Sequence, residues 1–188
     1  FRVNSRGGNA IASDQIWREV ELTDKVKPVV VSMGNYAASG GYYIAAAARK
    51  IMASPVTVTG SIGVFGLIPN AQTLLDNKLG ISSDVVRTNA NSDSPSLTRP
   101  LSAFEKDALQ GNVERTYRTF TGVVAAGRDM SQPAVDSIGQ GHVWSGADAV
   151  PIGLVDSFGG LSDAIREAAT LAGLEEYRTI EKPEASDF

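Results

Sequence analysis

Short runs of apolar, often β-branched residues alternate along the chain with longer segments whose apolar residues recur at helical spacing. Residues 28–33 (PVVVSM) and 50–54 (KIMAS) are typical of buried parallel strands. Residues 12–25 carry Ile16, Trp17 and Val20 at helical spacing, and residues 40–49 predict a second helix after their two glycines. This alternation predicts an α/β fold with crossover connections.

The second half of the chain predicts mostly helices. Ser102 and Glu105 have capping-box spacing at the start of the longest predicted helix, residues 102–127. A helix over residues 70–78 is predicted to end at Gly80, followed by a strand over 84–88 and an exposed polar loop over 89–100. Shorter helices are expected at 131–138, 145–152 and 161–171, and the charged residues 175–188 predict a fraying tail.

Composition narrows the class of protein. A chain of 188 residues with 43% hydrophobic and 20% charged residues predicts a single globular domain. A net charge of −4 with scattered cations argues against nucleic acid as a partner. The absence of cysteine excludes thiol catalysis and disulfides, and a single histidine makes a metal centre improbable, so we expect no cofactor and no metal. Because the sequence opens at Phe1 within a predicted strand, we expect a fragment whose membrane anchor lies outside it.

The segment with candidate chemistry is YAASGGYY at residues 36–43. Ser39 follows a predicted strand and precedes a predicted helix, where free backbone amides can bind a developing oxyanion. The following glycines, Gly40 and Gly41, allow a substrate carbonyl to approach closely. The spacing fits a nucleophilic serine, and it fits an ordinary cap and turn as well.

A second glycine pair, Gly7 and Gly8, follows the opening strand in NSRGG at residues 4–8. Adjacent parallel strands bring their C-terminal ends to one edge of a sheet, so these amides can supply the second half of an oxyanion hole. The alternative interpretation is a tight turn without a catalytic role.

Four blocks together resemble the signal peptide peptidase A (protease IV) family. They are NSRGG, YAASGGYY, TGSIGV at residues 59–64, and HVWSG at 142–146 with GLVD at 153–156. The resemblance implies a Clp/crotonase-like fold of repeated ββα units. It also implies a serine peptidase of the bacterial inner membrane that degrades cleaved signal peptides, with its catalytic domain on the periplasmic or extracytoplasmic side.

The same resemblance assigns roles to residues. It implies that Ser39 is the nucleophile, that Gly40 and either Gly7 or Gly8 form the oxyanion hole, and that Ser61 helps to orient the general base. Arg6 stands where the family usually has proline, so the turn that carries Gly7 lacks the rigidity of a proline.

A serine nucleophile needs a base. The lone His142 is better explained as a structural residue than as a triad member, so a Ser-Lys dyad is expected, with a lysine whose pKa is lowered by burial. In short relatives that lysine lies in a strand and loop after the TGSIG block. The matching stretch of this chain, residues 86–93, has no lysine, and Ser92 stands in its place. Long relatives carry the lysine in the first of two tandem copies, and this chain resembles the second. We therefore expect the N-terminal half of the same protein to supply the base.

Lys50 is too far from Ser39 to act as that base. If it ends the helix that Ser39 begins, about eleven residues at 1.5 Å each separate the two by about 16 Å. We expect it instead to stabilise the last helical carbonyls.

The substrate is expected to be a hydrophobic peptide in a groove flanked by Tyr42, Ile62 and Val64, although burial in the core is an alternative for these residues. A homo-oligomer is expected because relatives form rings or bowls. A crotonase-like acyl-CoA enzyme and a non-catalytic assembly domain remain alternative functions, since a fold alone does not fix function.

Overall fold

A computed structural model describes residues 1–183, in which the chain forms two compact units. Unit 1 contains residues 1–62 and the chain from Thr121 onward, and unit 2 contains Gly63–Phe120. The last five residues of the predicted tail, 184–188, lie outside the described residues.

Unit 1 is built on a six-stranded sheet. Its strands are β1 (Arg2–Ser5), β2 (Val30–Ala38), β3 (Lys50–Ala53), β4 (Val58–Gly60), β5 (Val143–Ser145) and β6 (Ser157–Phe158). The hydrogen-bonded order is β5-β4-β2-β3-β6, and β1 pairs with β2. All pairs are parallel except β4–β5. The predicted strands at 28–33 and 50–54 are therefore confirmed as parts of β2 and β3.

The long strand β2 is paired along both of its sides. Ser32 pairs with Arg2 of β1 and with Met52 of β3, while Ala37 pairs with Ser5 of β1 and with Thr59 of β4. Strand β1 thus lies on one side of β2, and β3 and β4 follow one another on the other side. As a result, β1, β2 and β4 all end next to the segment that follows Ala38.

The register between β1 and β2 is irregular near Asn4. The register shifts between Val3 and Ser5, and the Asn4 side chain fills the gap by accepting a hydrogen bond from the Tyr36 amide at 3.2 Å. Extra residues in one strand of a pair commonly mark places where a strand is re-aimed. Here the irregularity precedes Ser39 by only a few residues.

Helices cover the sheet of unit 1. They are α1 (Ala10–Val26), α2 (Gly40–Tyr43), α5 (Gln132–Ile138), α6 (Gly146–Ala149) and α7 (Leu161–Leu171), together with the end of α4 (Ala103–Arg128). Helix α1 confirms the prediction for residues 12–25 and starts two residues earlier, because Asn9 Oδ1 accepts hydrogen bonds from the amides of Ile11 and Ala12.

Two helix predictions in unit 1 were too long. Helix α2 ends at Tyr43, and the alanine-rich stretch after it forms turns. Ala46 O lies where a Cβ at Gly127 would be, so the turn packs against the backbone of α4. Helix α6 likewise covers only Gly146–Ala149 of the predicted residues 145–152. Tertiary packing overrides local propensity after α2, whereas α6 ends just before Pro151, which disfavours helical conformation in the residue that precedes it.

Unit 2 contains α3 (Gln72–Leu74), a π-helical turn (Leu75–Leu79) and the first part of α4. Gly80 ends the π turn in a left-handed conformation (φ 64°), as the sequence predicts. The strand predicted over residues 84–88 is wrong: these residues form no strand and are exposed, Val86 to 99%. No strand of unit 2 is available to pair with them in the part of the chain that the structure describes.

The capping box at the start of α4 is confirmed. Ser102 N donates to Glu105 Oε2 at 2.7 Å, and Glu105 N donates to Ser102 Oγ at 3.2 Å. The Arg99 guanidinium also binds both oxygens of Glu105 and both oxygens of Asp93. Between residues 1 and 183, no helix has both the length and the apolar character required to cross a bilayer.

Candidate active site

Ser39 stands between the end of β2 and the start of α2 in a backbone conformation that is rare for a residue with a side chain. Its φ of 51° and ψ of −122° lie in a region that favours glycine, and such strain costs about 1–3 kcal/mol. The backbone is fixed there because Ser39 N donates to Gly60 O at 2.9 Å, and Ser39 O accepts from the amides of Tyr42 and Tyr43.

The Ser39 side chain is half-buried and does not cap the helix that it precedes. A serine at this position commonly accepts a hydrogen bond from a helical amide. The Ser39 hydroxyl therefore remains available for another partner.

The turn after β1 lies directly against Ser39 and Gly40. A Cβ atom at Gly7 would lie 2.8 Å from Ser39 Cβ and 3.1 Å from Gly40 N, and a Cβ at Gly40 would lie 3.0 Å from Gly8 N. Gly7 has a φ of 115°. Both the space and the conformation thus require glycine at position 7.

This contact places two backbone amides side by side. Gly7 N already donates to Ser5 Oγ at 3.2 Å, whereas Gly8 N and Gly40 N have no acceptor among residues 1–183. Two free amides next to a serine hydroxyl can bind a negatively charged oxygen. Of the two glycines that the sequence left open, Gly8 has the free donor, and Gly7 provides the close approach.

Ser61 follows the end of β4 beside Ser39, since Ala38 pairs with Gly60. Its φ of 48° is also positive, and its amide donates to His142 O at 2.7 Å. The family resemblance implied that Ser61 helps to orient the general base, and the parallel pairing of β2 with β4 explains why Ser61 follows a strand that ends beside Ser39. The strained backbone at both serines was not predictable, because it depends on contacts with the β1 turn and with residues 141–142.

Two lysines of unit 1, Lys50 and Lys25, form ion pairs with glutamates. Lys50 was predicted to stabilise the last carbonyls of the helix begun by Ser39; this is wrong, because Lys50 starts β3 and its Nζ donates to Glu167 at 2.7 Å. Lys25 pairs with Glu21 at 3.0 Å. His142 is exposed, and its ring contacts that of Trp144 with the centroids 4.2 Å apart and the planes tilted by 51°.

Two of the three residues predicted to flank a substrate groove lie in the core instead. Tyr42 and Ile62 are fully buried, and Tyr42 OH donates to Leu154 O at 2.9 Å. Burial raises the pKa of the Tyr42 hydroxyl well above its usual range. These two side chains therefore pack in the core close in sequence to Ser39 and Ser61, and they present no surface to a substrate.

Val64, the third predicted wall residue, belongs to unit 2. It is half-buried at the edge of a cavity of about 510 Å³ that Phe65, Ile68, Leu101, Leu109 and Val113 also line. Phe65 is 91% exposed, so this part of unit 2 presents apolar surface.

Sequence reasoning missed one contact at the rim of the site. The Arg6 guanidinium carbon lies 4.5 Å from the centroid of the Tyr36 ring, which is a cation–π distance. The departure from proline at position 6 was visible in the sequence, but its partner on β2 depends on the register shift at Asn4.

Comparison with known proteins relates this geometry to a family. Protease 4 of Salmonella typhi is 45% identical over 178 residues, which cover 94% of this chain and 28% of that protein. A putative protease of Synechocystis is 40% identical over 187 residues, covering 97% of this chain and 67% of that protein. The chain thus spans less than a third of the length of its Salmonella relative.

Among solved structures, a ClpP1 mutant from Listeria monocytogenes superimposes with a TM-score of 0.55 at 17% identity, covering 87% of this chain and 74% of that chain. This likeness confirms the predicted Clp/crotonase-like α/β fold. The sequence model of the family described as "Peptidase family S49" matches residues 21–175 of this chain. Since this match covers most of the chain, the protein belongs to peptidase family S49.

Proposed function

We propose that this chain carries the nucleophile of a serine peptidase, Ser39, and that a lysine outside residues 1–188 acts as its base. The observation that carries the proposal is the strained Ser39 beside the free amides of Gly8 and Gly40. Backbone strain of this kind persists where surrounding contacts hold it, and it clusters at functional sites.

In the proposed reaction, Ser39 Oγ attacks the carbonyl carbon of a peptide bond and its proton passes to the neutral amine of the lysine. The amides of Gly8 and Gly40 stabilise the oxyanion of the tetrahedral intermediate. The lysine then protonates the leaving amine as the C–N bond breaks, and water hydrolyses the Ser39 ester by the same route.

Two observations support a base from outside the chain. The stretch after the TGSIG block, where short relatives have their lysine, contains Arg87, which pairs with Asp93 at 3.2 Å. A guanidinium does not deprotonate in proteins and cannot serve as a general base. Ser92 in the same stretch donates to Asn89 O at 3.2 Å. We assign to Ser61, next to Ser39, the role of orienting the incoming amine.

We propose hydrophobic peptides, including cleaved signal peptides, as substrates. The support from unit 2 is its cavity near Val64 and Phe65, which is lined mainly by apolar residues. We also propose that the N-terminal half of the same protein supplies the lysine and that copies of the whole protein assemble into a homo-oligomer. An anchor outside these residues would hold the assembly at the outer face of the bacterial inner membrane. Exposed apolar residues such as Phe65 and Val86 are consistent with buried contacts in such an assembly.

The test is covalent labelling of the natural full-length polypeptide with a fluorophosphonate, followed by peptide mapping. We expect modification at Ser39 alone, with no labelling of the Ser39→Ala variant. Peptidase activity and labelling should disappear together. An unmodified Ser39 in a preparation that hydrolyses peptides would contradict the proposal, and binding of an acyl-CoA by an unlabelled protein would favour the crotonase-like alternative.

A further inference from the structure

Arg6 combines three properties that together indicate contact with a substrate. It is exposed, it directly precedes the glycines that touch Ser39 and Gly40, and its guanidinium lies over the Tyr36 ring. None of these properties alone would distinguish it from a surface arginine.

The stacking on Tyr36 fixes the position of the charge. A guanidinium that lies on an aromatic face is held by the ring while its N–H groups, which lie in its own plane, stay open to acceptors. Tyr36 is in turn held by its amide, which donates to Asn4 Oδ1. The Tyr36 ring therefore holds the Arg6 cation in a defined position near the C-terminal end of β2.

The guanidinium has no acidic partner of its own. Within residues 1–183, Arg6 forms no ion pair and donates no hydrogen bond, whereas Arg2, on the preceding strand β1, donates to Ser32 Oγ and Met33 O. Several other arginines of the described chain are paired, among them Arg49 with Asp24 and Arg128 with Asp156. The five donors of Arg6 are thus available to a ligand.

The proposed chemistry brings a peptide next to these donors. Once a scissile carbonyl oxygen lies between the amides of Gly8 and Gly40, the neighbouring peptide residues pass the turn that contains Arg6. An arginine recognises a carboxylate through two parallel hydrogen bonds, which gives both charge and geometric selectivity. Family members with proline at this position lack such a donor.

We propose that Arg6 is a specificity-determining residue that favours peptides with a carboxylate close to the scissile bond. The inference rests on the proposed function of Ser39. The carboxylate can come from an aspartate or glutamate side chain or from the C-terminus of the peptide, and the two sources share the same recognition chemistry.

The experiment measures kcat/KM of the natural full-length protein on matched peptides. One series moves a single glutamate, paired with glutamine controls, through the positions around the cleaved bond of an otherwise apolar peptide. A second series compares free and amidated C-termini. We expect one position or one terminus at which the acidic peptide is preferred about fivefold, with the preference shrinking at 0.5 M salt.

Variants assign the preference to Arg6. Arg6→Gln and Arg6→Pro should bring the acidic-to-neutral ratio to about one, with the larger loss in kcat/KM on the acidic peptide. Tyr36→Ala should lower the ratio in part. Arg166→Gln removes the same charge from an exposed site on α7, and it should leave the ratio unchanged.

Two results would overturn the inference while leaving Ser39 as nucleophile: a wild-type ratio of one at every position, or an equal loss on both peptides in Arg6→Gln. The second result would mean that Arg6 only shapes the Gly7–Gly8 turn. If instead the full-length protein cleaves no peptide, or if Ser39→Ala cleaves peptides as fast as the wild type, the proposed function itself is wrong.

Discussion

Gly7 lies so close to Ser39 that a methyl group on Gly7 would come within 2.8 Å of the Ser39 Cβ atom. The contact joins the turn after β1 to the end of β2, and it holds the Gly8 amide beside the Gly40 amide. The proposed oxyanion hole therefore depends on a residue that donates no hydrogen bond to it.

Gly7→Ala should reduce kcat/KM of the full-length protein by about 100-fold or more, because loss of one oxyanion donor alone has an effect of that size. The alanine would also have to adopt a φ of 115°, which we expect to lower the free energy of unfolding by about 1–3 kcal/mol. Peptide hydrolysis and urea denaturation measure the two effects.

Gly66→Ala is the matched control, since a Cβ at Gly66 meets no atom within 4 Å and its φ is not positive. We expect little change in stability from it. If Gly7→Ala is as active as the wild type, Gly7 does not determine the geometry of the site.

The strained backbone at Ser39 predicts that a glycine at this position raises the stability of the protein while it abolishes activity. Ser39→Gly should remove the cost of the positive φ and make unit 1 about 1 kcal/mol more stable than Ser39→Ala, while both variants are inactive. Urea denaturation of the two variants measures the difference directly. A glycine variant that is no more stable than the alanine variant would show that the backbone at Ser39 is relaxed.

An ion pair between a largely buried arginine and a partly exposed aspartate lies against the start of β3. Arg128, whose side chain is only 8% exposed, binds both oxygens of Asp156, and Asp156 Oδ2 also accepts from Ile51 N at 2.6 Å. Asp156→Ala leaves the Arg128 cation without its carboxylate partner and removes the acceptor of the Ile51 amide, so we expect a loss of about 1–3 kcal/mol in unfolding free energy.

Glu21→Ala is the control for Asp156→Ala, because Glu21 forms exposed pairs with Arg18 and Lys25 on α1. Exposed pairs of this kind contribute about 0–1 kcal/mol. Equal effects of the two substitutions on thermal unfolding would argue against a structural role for the Arg128–Asp156 pair.

The charge cluster at the start of α4 predicts a pH dependence for unit 2. The Arg99 guanidinium, with the Ser102 amide, holds the pKa of Glu105 far below its ordinary value of 4.5. Arg99 also lowers the pKa of Asp93. Because both carboxyls titrate lower in the folded state, their stabilisation is complete above about pH 5 and declines as the pH falls below 4.5 towards the folded pKa.

The measurement is the urea midpoint between pH 7 and pH 3. Glu105→Gln should lower the midpoint at pH 7 and flatten its decline in acid, whereas Glu114→Gln, on the exposed part of the same helix, should keep the wild-type slope. An unchanged acid slope in Glu105→Gln would mean that the cluster does not govern the acid stability of unit 2.

Local signals in the sequence predicted elements whose determinants are local. The capping box of Ser102 and Glu105, the left-handed Gly80 and the periodicity of α1 all depend on residues close in the chain. The strand predicted at residues 84–88 was wrong because strand formation is not local. A β-branched pair such as Val85-Val86 forms a strand only where a neighbouring strand can pair with it.

The candidate site was predictable as a set of residues, and its geometry was not. Family-like blocks identified Ser39, Ser61 and the two glycine pairs, but the choice between Gly7 and Gly8 depends on the Ser5 hydroxyl, which occupies the Gly7 amide. Tyr42 and Ile62 were ambiguous because an apolar residue beside a site can face either the substrate or the core. The Arg6–Tyr36 contact requires the register shift in β1, which no local pattern reveals.

The central claim is that Ser39 is a nucleophile whose base lies outside this chain. The most direct measurement compares hydrolysis of an apolar peptide by residues 1–188 alone with hydrolysis by the same chain after addition of the lysine-bearing N-terminal half. We expect no activity from the chain alone, restored activity in the mixture, and loss of that activity in Ser39→Ala. Hydrolysis by the chain alone that Ser39→Ala abolishes would contradict the claim, because a base would then have to lie within these 188 residues.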